Sequence, residues 1–376
     1  MTAEVFLNGR FLYQSVTGVQ RFAAEVSAAI DKLIDQDSWP ETEVLTPRAE
    51  LRCAAARDTA GMGRIPSRAT DTQFRRLRTR AIGRLRGHLW EQAELPHAAR
   101  DGVLVSLGNT APVLSGRRQV VVIHDAGVFD TPESYSFRFR SWYKVLQRCL
   151  ARTGVEVATV SAFSRARIAE RLGLDPARIA VVYEGADHMM RVAADPAALQ
   201  RHGLKAREYA LVVGSRVPHK NLAALREASV VLARRGMRIA VAGGGETGVF
   251  SGLADADRGE RRLGRVSDAE LRTLYENAAC LLFPSRYEGF GLPPVEAMAC
   301  GCPVLAAHGG AVNEICGDGA LYFDNSAPYS IVRALECLLE ENGLADRLRA
   351  RGRTRAAALT WQASARGLGD VVRRVR

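Results

Sequence analysis

The sequence predicts an α/β protein made of two Rossmann-like domains, whose parallel sheets face each other across a cleft. Short apolar runs alternate with longer amphipathic stretches along the whole chain, a pattern typical of parallel sheets covered by helices. The chain has 376 residues, which is long for a single core. A polar segment, Ala193–Arg207, separates two such series of runs, and we place the link between the domains there.

The predicted strands are the apolar runs themselves. In the first half of the chain they are Val5–Leu7, Val44–Thr46, Val103–Ser106, Val120–His124, Val155–Val160 and Ile179–Val182. In the second half they are Tyr209–Val213, Arg238–Ala242, Ala279–Phe283, Val304–Ala306 and Leu321–Phe323. Ligands of such folds bind beyond the carboxyl ends of the strands, so we expect functional side chains in the loops that follow them.

Helices are predicted between the strands. They cover Val19–Ile34, Ser161–Leu172, Leu222–Arg235, Ser267–Ala278 and the tail from Trp361. Ser267 is followed three residues later by Glu270, which is the pattern of a capping box. Ser161 follows a predicted strand and is expected to cap its helix.

Composition narrows the class of protein. Apolar residues make up 47% and charged residues 25% of the chain, as in an ordinary globular protein. The net charge of +11 favours anionic partners. No basic patch interleaved with aromatic residues is found, so nucleic acid is not expected as a partner. The sequence has no signal-peptide pattern and no apolar run of membrane-spanning length, which predicts a cytoplasmic protein, soluble or peripheral on the inner face of the cell membrane.

The seven cysteines are odd in number and scattered. This distribution predicts buried thiols in a reducing compartment and no disulfide framework. Cys300 and Cys302 lack the spacing of a zinc-binding pair, so no metal site is expected there.

The segment Glu288–Glu296 carries the clearest chemical signal. It reads EGFGLPPVE, follows the predicted strand Ala279–Phe283 and opens a helix near Pro294. Gly289 and Gly291 allow a ligand to approach the backbone closely, and a helix N-terminus favours a phosphate. Two carboxylates flank this predicted anion site, with Glu296 about one turn inside the helix.

The segment Arg265–Asp324 resembles the donor-binding half of family 4 retaining glycosyltransferases, which have the GT-B architecture. The matching stretches are RVSDAEL, LLFPSRYEGFGLPPVEAMACGCPVLA and GGAVNEICGDGALYF. In the N-terminal half, NGRFLYQSVTGVQRFAAEV, LWEQAELP, VSLGNTAP, VVIHDAGVFDTPESYSFRFRSWY and TVSAFSR resemble bacterial mannosyltransferases of exopolysaccharide and O-antigen assembly. The resemblance implies an acceptor-binding domain over 1–195, a donor-binding domain over 206–358, and a helix over 359–376 that crosses back to the first domain.

The resemblance also implies roles for individual residues. Glu288 contacts the donor sugar and Glu296 the ribose, while Arg216 and Lys220 hold the diphosphate. Arg216 and Lys220 lie four residues apart, where the commoner spacing in the family is five. Further donor contacts are implied for Gly289, Phe290, Gly291, Leu292 and Val266.

Two positions in the N-terminal half also match the family. Gly18, in the sequence TGVQR, would let the backbone approach the diphosphate. His124 ends the predicted strand Val120–His124 and is implied to lie near the reacting centre. A purely structural histidine at a strand end remains an alternative for His124.

Other motifs compete with this interpretation. Gly243, Gly245 and Gly248 fit the GxGxxG fingerprint of an NAD(P)-dependent oxidoreductase, although no clear helix follows them. Asp35–Asp37 and Asp255–Asp257 match the DxD motif of metal-dependent glycosyltransferases, but neither follows an apolar strand. We interpret both DxD motifs as solvated surface.

The segment Phe74–Trp90 reads FRRLRTRAIGRLRGHLW and has six arginines and no acidic residue. On a helical wheel its apolar residues form one face, which predicts an amphipathic helix that lies on an anionic membrane. The alternative is a helix packed on the N-terminal domain.

Together these observations predict a glycosyltransferase that needs neither metal nor cofactor. The donor expected from the resemblance is GDP-mannose, and the acceptor a lipid-linked oligosaccharide. Another nucleotide-sugar donor or a soluble acceptor is the alternative.

Overall fold

The computed structural model describes residues 4–48, 74–215, 217–244, 260–327 and 329–375. The chain forms two compact units. The first comprises the residues up to Glu184 together with those from Trp361, and the second comprises Gly185–Thr360. The first unit ends at Glu184, before the expected limit at residue 195.

Each unit is built on one parallel sheet, and together they contain the two Rossmann-like folds predicted from the sequence. The first sheet has the strand order β3-β2-β1-β4-β5-β6-β7, and the second has the order β10-β9-β8-β11-β12-β13. The first comprises β1 (Val5–Asn8), β2 (Thr42–Pro47), β3 (Arg78–Ile82), β4 (Val103–Ser106), β5 (Gln119–Val122), β6 (Glu156–Thr159) and β7 (Ile179–Val181). The second comprises β8 (Tyr209–Val213), β9 (Arg238–Ala242), β10 (Glu260–Gly264), β11 (Cys280–Phe283), β12 (Val304–Ala307) and β13 (Ala320–Phe323).

The helices follow the strands in alternation. In the first unit they are α1 (Gly18–Asp35), α2 (Gly87–Ala93), α3 (Leu95–Ala98), α4 (Gly127–Asp130), α5 (Phe137–Arg152) and α6 (Ala162–Leu172). The second unit contains α7 (His188–Arg191), α8 (Ala198–Arg201), α9 (Leu225–Arg234), α10 (Asp268–Asn277), α11 (Leu292–Ala299), α12 (Gly310–Cys316), α13 (Ser330–Glu340) and α14 (Leu344–Ala357). The last helix, α15 (Trp361–Val375), belongs to the first unit.

Burial explains why the central strands form. Strands β1, β4, β5, β11 and β12 are buried along their whole length, as expected of strands covered on both faces. Helix α15 closes the first core, because the ring of Trp361 packs edge-on against that of Phe22 at a centroid distance of 5.9 Å. The capping box at the start of α10 is confirmed, since Ser267 and Glu270 each bond the other's backbone.

The predicted helix over Phe74–Trp90 is wrong. Residues Arg78–Ile82 form the edge strand β3, which pairs in parallel with β2. Gly83 and Gly87 adopt positive φ angles of 69° and 55°, which exclude one continuous right-handed helix through the segment. Helix α2 therefore begins only at Gly87.

The strand β10 was also not predicted. Its sequence ERRLG has no apolar run, and it lies at the edge of the second sheet. Edge strands of native sheets commonly carry charged residues, which discourage pairing with another chain. The apolar pattern of the sequence therefore does not reveal a charged edge strand such as β10, although it did predict the apolar edge strands β7 and β13.

The buried carboxylate of Asp31 holds the chain at the entry to β3. Asp31 lies on α1 and is 7% exposed. Its two oxygens accept hydrogen bonds from the backbone N–H groups of Arg75, Arg76 and Leu77, at N···O distances of 2.9, 2.7 and 2.7 Å. Loss of this carboxylate leaves three backbone donors without their acceptor, the Leu77 donor buried and the other two part-buried, and an unsatisfied buried donor is costly.

We expect Asp31→Ala to lower the free energy of unfolding of the first unit by about 2–3 kcal/mol. Urea unfolding followed by tryptophan fluorescence measures this change selectively, because Trp39, Trp90, Trp142 and Trp361 all belong to that unit. The control is Asp35→Ala, which removes an exposed ion pair with Arg76 and should leave the midpoint nearly unchanged. Equal shifts for the two variants would contradict the role of Asp31.

Candidate functional site

Lys220 and Glu288 meet at the carboxyl edge of the second sheet. Lys220 ends a short turn after β8, and Glu288 lies in the loop after β11. Strands β8 and β11 are neighbours, so the loops that follow them converge. The Lys220 Nζ lies 2.7 Å from Glu288 Oε1, and the two side chains are 17% and 12% exposed. The sequence predicted both residues for the donor site, but not that they form an ion pair.

The glycine-rich turn of residues 289–291 leads directly into α11. Gly291 caps this helix with a φ of 98°, a left-handed conformation that favours glycine. The helix begins at Leu292, two residues before the predicted start, because proline fits the first turn of a helix. Phe290 and Leu292 are buried. Glu288 lies four residues before Leu292, so in the sequence it closely precedes the partial positive charge of the α11 N-terminus.

Glu296 is buried inside α11 and is held by two side chains that the sequence did not indicate. His188 Nε2 lies 3.0 Å from Glu296 Oε1, and the Tyr275 hydroxyl donates to Oε2 at 2.9 Å. Burial and the negative charge of Glu296 raise the pKa of Tyr275 well above its usual value. Tyr275 therefore stays a hydrogen-bond donor and fixes the carboxylate. A ribose contact for Glu296 remains a prediction.

His124 follows β5 and is 4% exposed. Its Nδ1 lies 3.3 Å from Glu184 Oε1, and its Nε2 lies 3.0 Å from the Leu107 carbonyl oxygen. The Phe22 ring packs edge-on against it at 4.8 Å. A neutral imidazole has one N–H donor and can satisfy only one of these two acceptors. These contacts favour the structural interpretation, and a catalytic role for His124 remains a prediction.

The other predicted donor contacts are differently placed. Gly18 is the first residue of α1 and is exposed, and a Cβ added there would meet no atom within 4 Å. Val266 is half-buried immediately before the α10 cap Ser267. Arg216 lies outside the residues that the structure describes, so its predicted contact with the diphosphate is a prediction only.

The competing motifs have structural explanations where they are described. A Cβ at Gly243 would lie 2.1 Å from the Gly214 carbonyl oxygen, so close backbone packing requires glycine there. Gly245, Gly248 and the motif Asp255–Asp257 lie outside the described residues. Asp35 pairs with Arg76 on the surface, as interpreted from the sequence. Within the described ranges, no three His, Cys, Asp or Glu side chains are grouped so that they could hold a metal ion.

The cysteines are mostly buried, as predicted. Burial raises the pKa of Cys280, Cys300 and Cys316 to about 12, so these thiols are not nucleophiles at neutral pH. Cys337 is exposed, contrary to the expectation of buried thiols. Cys53 lies outside the described residues.

A pocket of about 540 Å³ in the first unit was not predicted. The carboxylate of Glu91, which is 1% exposed, lies at one wall. It accepts hydrogen bonds from Asn8 Nδ2 at 2.7 Å, Arg10 Nη1 at 2.8 Å and the Thr110 hydroxyl at 2.9 Å. Burial opposes ionisation of Glu91, but a hydrogen bond from His88 and the charge of Arg10 outweigh it and lower its pKa.

Sequence patterns do not reveal this network, because Arg10 and Glu91 are 81 residues apart. They meet because Arg10 follows β1 and Glu91 lies on α2. Both residues occur within stretches that carried the family resemblance, NGRFLYQS and LWEQAELP. Their position in these stretches was the signal by which the sequence could have marked Arg10 and Glu91 as functional candidates, although it indicated no contact between them.

Comparison with known proteins agrees with these features. A family model described as "Glycosyl transferases group 1" matches residues 196–355. O-antigen chain mannosyltransferase B of Escherichia coli is 32% identical over 257 residues, covering 65% of this chain and 67% of that protein. O-antigen chain mannosyltransferase RfbU of Salmonella typhimurium is 28% identical over 276 residues, covering 69% and 74%. A D-inositol 3-phosphate glycosyltransferase of Frankia alni is 34% identical over 234 residues, covering 55% and 56%.

Solved structures share the fold. Sucrose-phosphate synthase from Thermosynechococcus elongatus has a TM-score of 0.70 at 16% identity and covers 98% of both chains. WaaG, a glycosyltransferase involved in lipopolysaccharide biosynthesis, has a TM-score of 0.68 at 17% identity and covers 98% of this chain and 99% of that chain. Anabaena HepE in complex with UDP and glucose has a TM-score of 0.68 at 15% identity and covers 96% of each. With its two parallel-sheet units and these relatives, the chain belongs to the glycosyl transferases group 1 family and has the GT-B fold.

Proposed function

We propose that this enzyme transfers mannose from GDP-mannose to a lipid-linked saccharide and retains the configuration of the sugar. The observation that carries the proposal is the Lys220–Glu288 pair, which lies before the N-terminus of α11. A cation and a carboxylate side by side match the two ends of a nucleotide sugar, one anionic and one rich in hydroxyl groups. The mannosyltransferase relatives support the choice of sugar.

The reaction breaks the bond between the sugar C1 and the diphosphate oxygen. The acceptor hydroxyl oxygen forms a new bond to C1, and a nucleoside diphosphate and one proton are released. Negative charge accumulates on the departing diphosphate. Lys220 and the α11 N-terminus stabilise that charge, and Glu288 accepts hydrogen bonds from the sugar hydroxyls.

We infer that no metal ion is needed for this step. In enzymes that use a metal ion for this step, the metal cation neutralises the leaving diphosphate. Here Lys220 supplies a positive charge at the carboxyl edge of the second sheet. The contact with Glu288 keeps Lys220 in place before the donor binds. The Lys220 ammonium also lies 5.4 Å from the Phe283 ring centroid, which further limits its position.

Other donors and acceptors define the alternatives. HepE, which shares the fold, has been solved with UDP-glucose, so a UDP-sugar is the alternative donor. The inositol phosphate relatives make a phosphorylated polyol the alternative acceptor. These alternatives differ in the nucleotide base and in the charge of the acceptor, so a direct assay separates them.

We further propose that the enzyme binds an anionic membrane through the loop before α2. Leu85 in this loop is 39% exposed, Leu89 on the adjoining first turn of α2 is 70% exposed, and the exposed side chains of Arg84 and Arg86 flank Leu85. This loop replaces the wrongly predicted helix as the contact surface. Two of the six arginines of that segment are paired with acidic residues, Arg76 with Asp35 and Arg80 with Glu43. Among the described helices, none is long and apolar enough to cross a bilayer.

We expect Glu288→Gln to lose most of its turnover while it still binds the nucleoside diphosphate, at least as tightly as the wild type. The reason is that the substitution removes the sugar contact but leaves Lys220 without its anionic partner.

Lys220→Met should lower donor kcat/KM roughly ten- to a hundredfold, because a hydrogen bond to a charged group contributes about 1.5–3 kcal/mol. Lys205→Met, a change to an exposed lysine of the same unit, is the matched control. Near-normal transfer by Glu288→Gln contradicts the proposed site.

The donor is identified by measuring nucleotide release from purified enzyme with GDP-mannose, GDP-glucose, UDP-glucose and UDP-galactose. We expect GDP-mannose to be consumed fastest, and the rate to be unchanged by EDTA. A preference for UDP-glucose replaces the proposed donor but keeps the family. Loss of activity in EDTA that Mn²⁺ restores contradicts the role given to Lys220.

Membrane binding is measured by co-sedimentation with anionic and neutral vesicles at low and high salt. Each basic residue near an anionic surface contributes about 1 kcal/mol, so the double change of Arg84 and Arg86 to glutamine should weaken binding about tenfold or more. The matched control changes Arg226 and Arg234, exposed arginines of the second unit, to glutamine. If both double variants sediment alike, net charge alone explains the binding and the loop is not the contact surface.

A further inference from the structure

The pocket of the first unit is lined mainly by polar and aromatic side chains. Its volume of about 540 Å³ lies within the usual range for small-molecule sites. One wall is the Asn8–Arg10–Glu91–Thr110 network. Side chains of α5 and of the turn before it also line the pocket.

The charge of the pocket lining disfavours an anionic ligand. The charged residues that line it are Arg10, Glu91 and Asp125, so its formal charge is +1 − 2 = −1. The Arg10 guanidinium is already bound to Glu91 at 2.8 Å and lies 3.2 Å from His88 Nδ1. A phosphate that entered would meet two carboxylates and a cation that is engaged by one of them. Desolvation of an anion in such a site is not compensated.

The aromatic wall supplies the second feature. The rings of Tyr135 and Phe139 stack with an interplanar angle of 6° and a centroid distance of 5.6 Å. Phe139 and Tyr143 stack at 4.1 Å and 24°. All three rings line the pocket, and Phe139 is 41% exposed. Such a surface packs against the apolar C–H face of a ring-shaped ligand.

Neutral hydrogen-bonding groups complete the lining. Gln14, Gln20, Asn109 and Gln147 contribute amides, and Ser15 and Thr17 contribute hydroxyls. Amides offer donors and acceptors together, which suits a ligand whose hydroxyl groups do both. Phosphate would use only the donors.

We propose that this pocket binds an uncharged sugar unit of the acceptor and disfavours a phosphorylated polyol. The proposal rests on the proposed function and narrows its acceptor, because the mannosyltransferase and inositol phosphate relatives differ in this respect. The stacked rings of Tyr135, Phe139 and Tyr143 hold one face of the sugar. The amides and the Glu91 network face its hydroxyl groups.

The test uses the full-length enzyme and needs no donor. Saturation-transfer NMR measures the binding of methyl α-mannoside, methyl β-N-acetylglucosaminide and D-inositol 3-phosphate to the wild type and to Phe139→Ala. We expect at least one uncharged glycoside to bind more tightly than the inositol phosphate, and Phe139→Ala to weaken it about tenfold. The matched control is Phe137→Ala, because Phe137 lies on the same helix, is 71% exposed and is not part of the pocket lining.

In the transfer assay, Phe139→Ala should raise the KM of the acceptor and leave the KM of the donor unchanged. Tighter binding of D-inositol 3-phosphate than of either glycoside overturns the proposal, as does binding that Phe139→Ala and Phe137→Ala change equally. If no nucleotide sugar is consumed, the proposed function fails, and glycoside binding that depends on Phe139 still identifies the pocket. If transfer occurs and Phe139→Ala changes no acceptor constant, the function stands and the pocket assignment fails.

Discussion

The parallel arrangement of the strands is the constraint on which both units depend. All strands of a parallel sheet end at the same edge, so the loops after neighbouring strands converge whatever their distance in sequence. In the second unit this brings Lys220, after β8, to within 2.7 Å of Glu288, after β11. In the first unit it places Arg10, after β1, beside Thr110, after β4. The order of the strands in each sheet therefore determines which polar side chains lie together.

The two units use ion pairs in different ways. Glu91 is 1% exposed and accepts hydrogen bonds from several donors, and breaking its pair with Arg10 removes the cation that balances a buried charge. The Lys220–Glu288 pair is more accessible, with 17% and 12% exposure, and one contact joins the two charges. A ligand with a diphosphate and a sugar can replace that contact with charge-assisted bonds of its own. The Arg10–Glu91 pair therefore suits a rigid wall of the pocket. The Lys220–Glu288 pair suits a site in which a bound ligand can replace the contact between the two charges.

Sequence patterns predicted the apolar strands, among them the edge strands β7 and β13, and missed the charged edge strands β3 and β10, for one physical reason. Val120–Val122 and Leu281–Phe283 are buried on both faces, so they must be apolar and are visible as runs. Arg78–Arg80 and Glu260–Arg262 lie at sheet edges, where charge is tolerated and useful. The apolar residues of Phe74–Trp90 then gave a helical pattern by coincidence, because apolar spacing alone does not show the φ angles of Gly83 and Gly87. For the candidate site, motifs predicted Glu288 and Glu296, but the partners of Glu296, His188 and Tyr275, are brought in by tertiary packing and have no local signal.

Helix α5 shows how one element can serve two surfaces. Phe139, Tyr143 and Gln147 are four residues apart, so they share the face that lines the pocket. Phe137, Trp142 and Val145 are off that face and remain exposed. Trp142 also contacts His88, at a distance of 5.6 Å between the ring centroids. In the sequence, His88 is three residues from Leu85 and one from Leu89, the exposed leucines of the proposed membrane surface. Because His88 also contacts Arg10 and Glu91, the wall of the proposed sugar pocket and the proposed membrane surface are joined through one side chain. An acceptor whose sugar is uncharged and whose lipid stays in a membrane needs these two surfaces to be neighbours within the first unit.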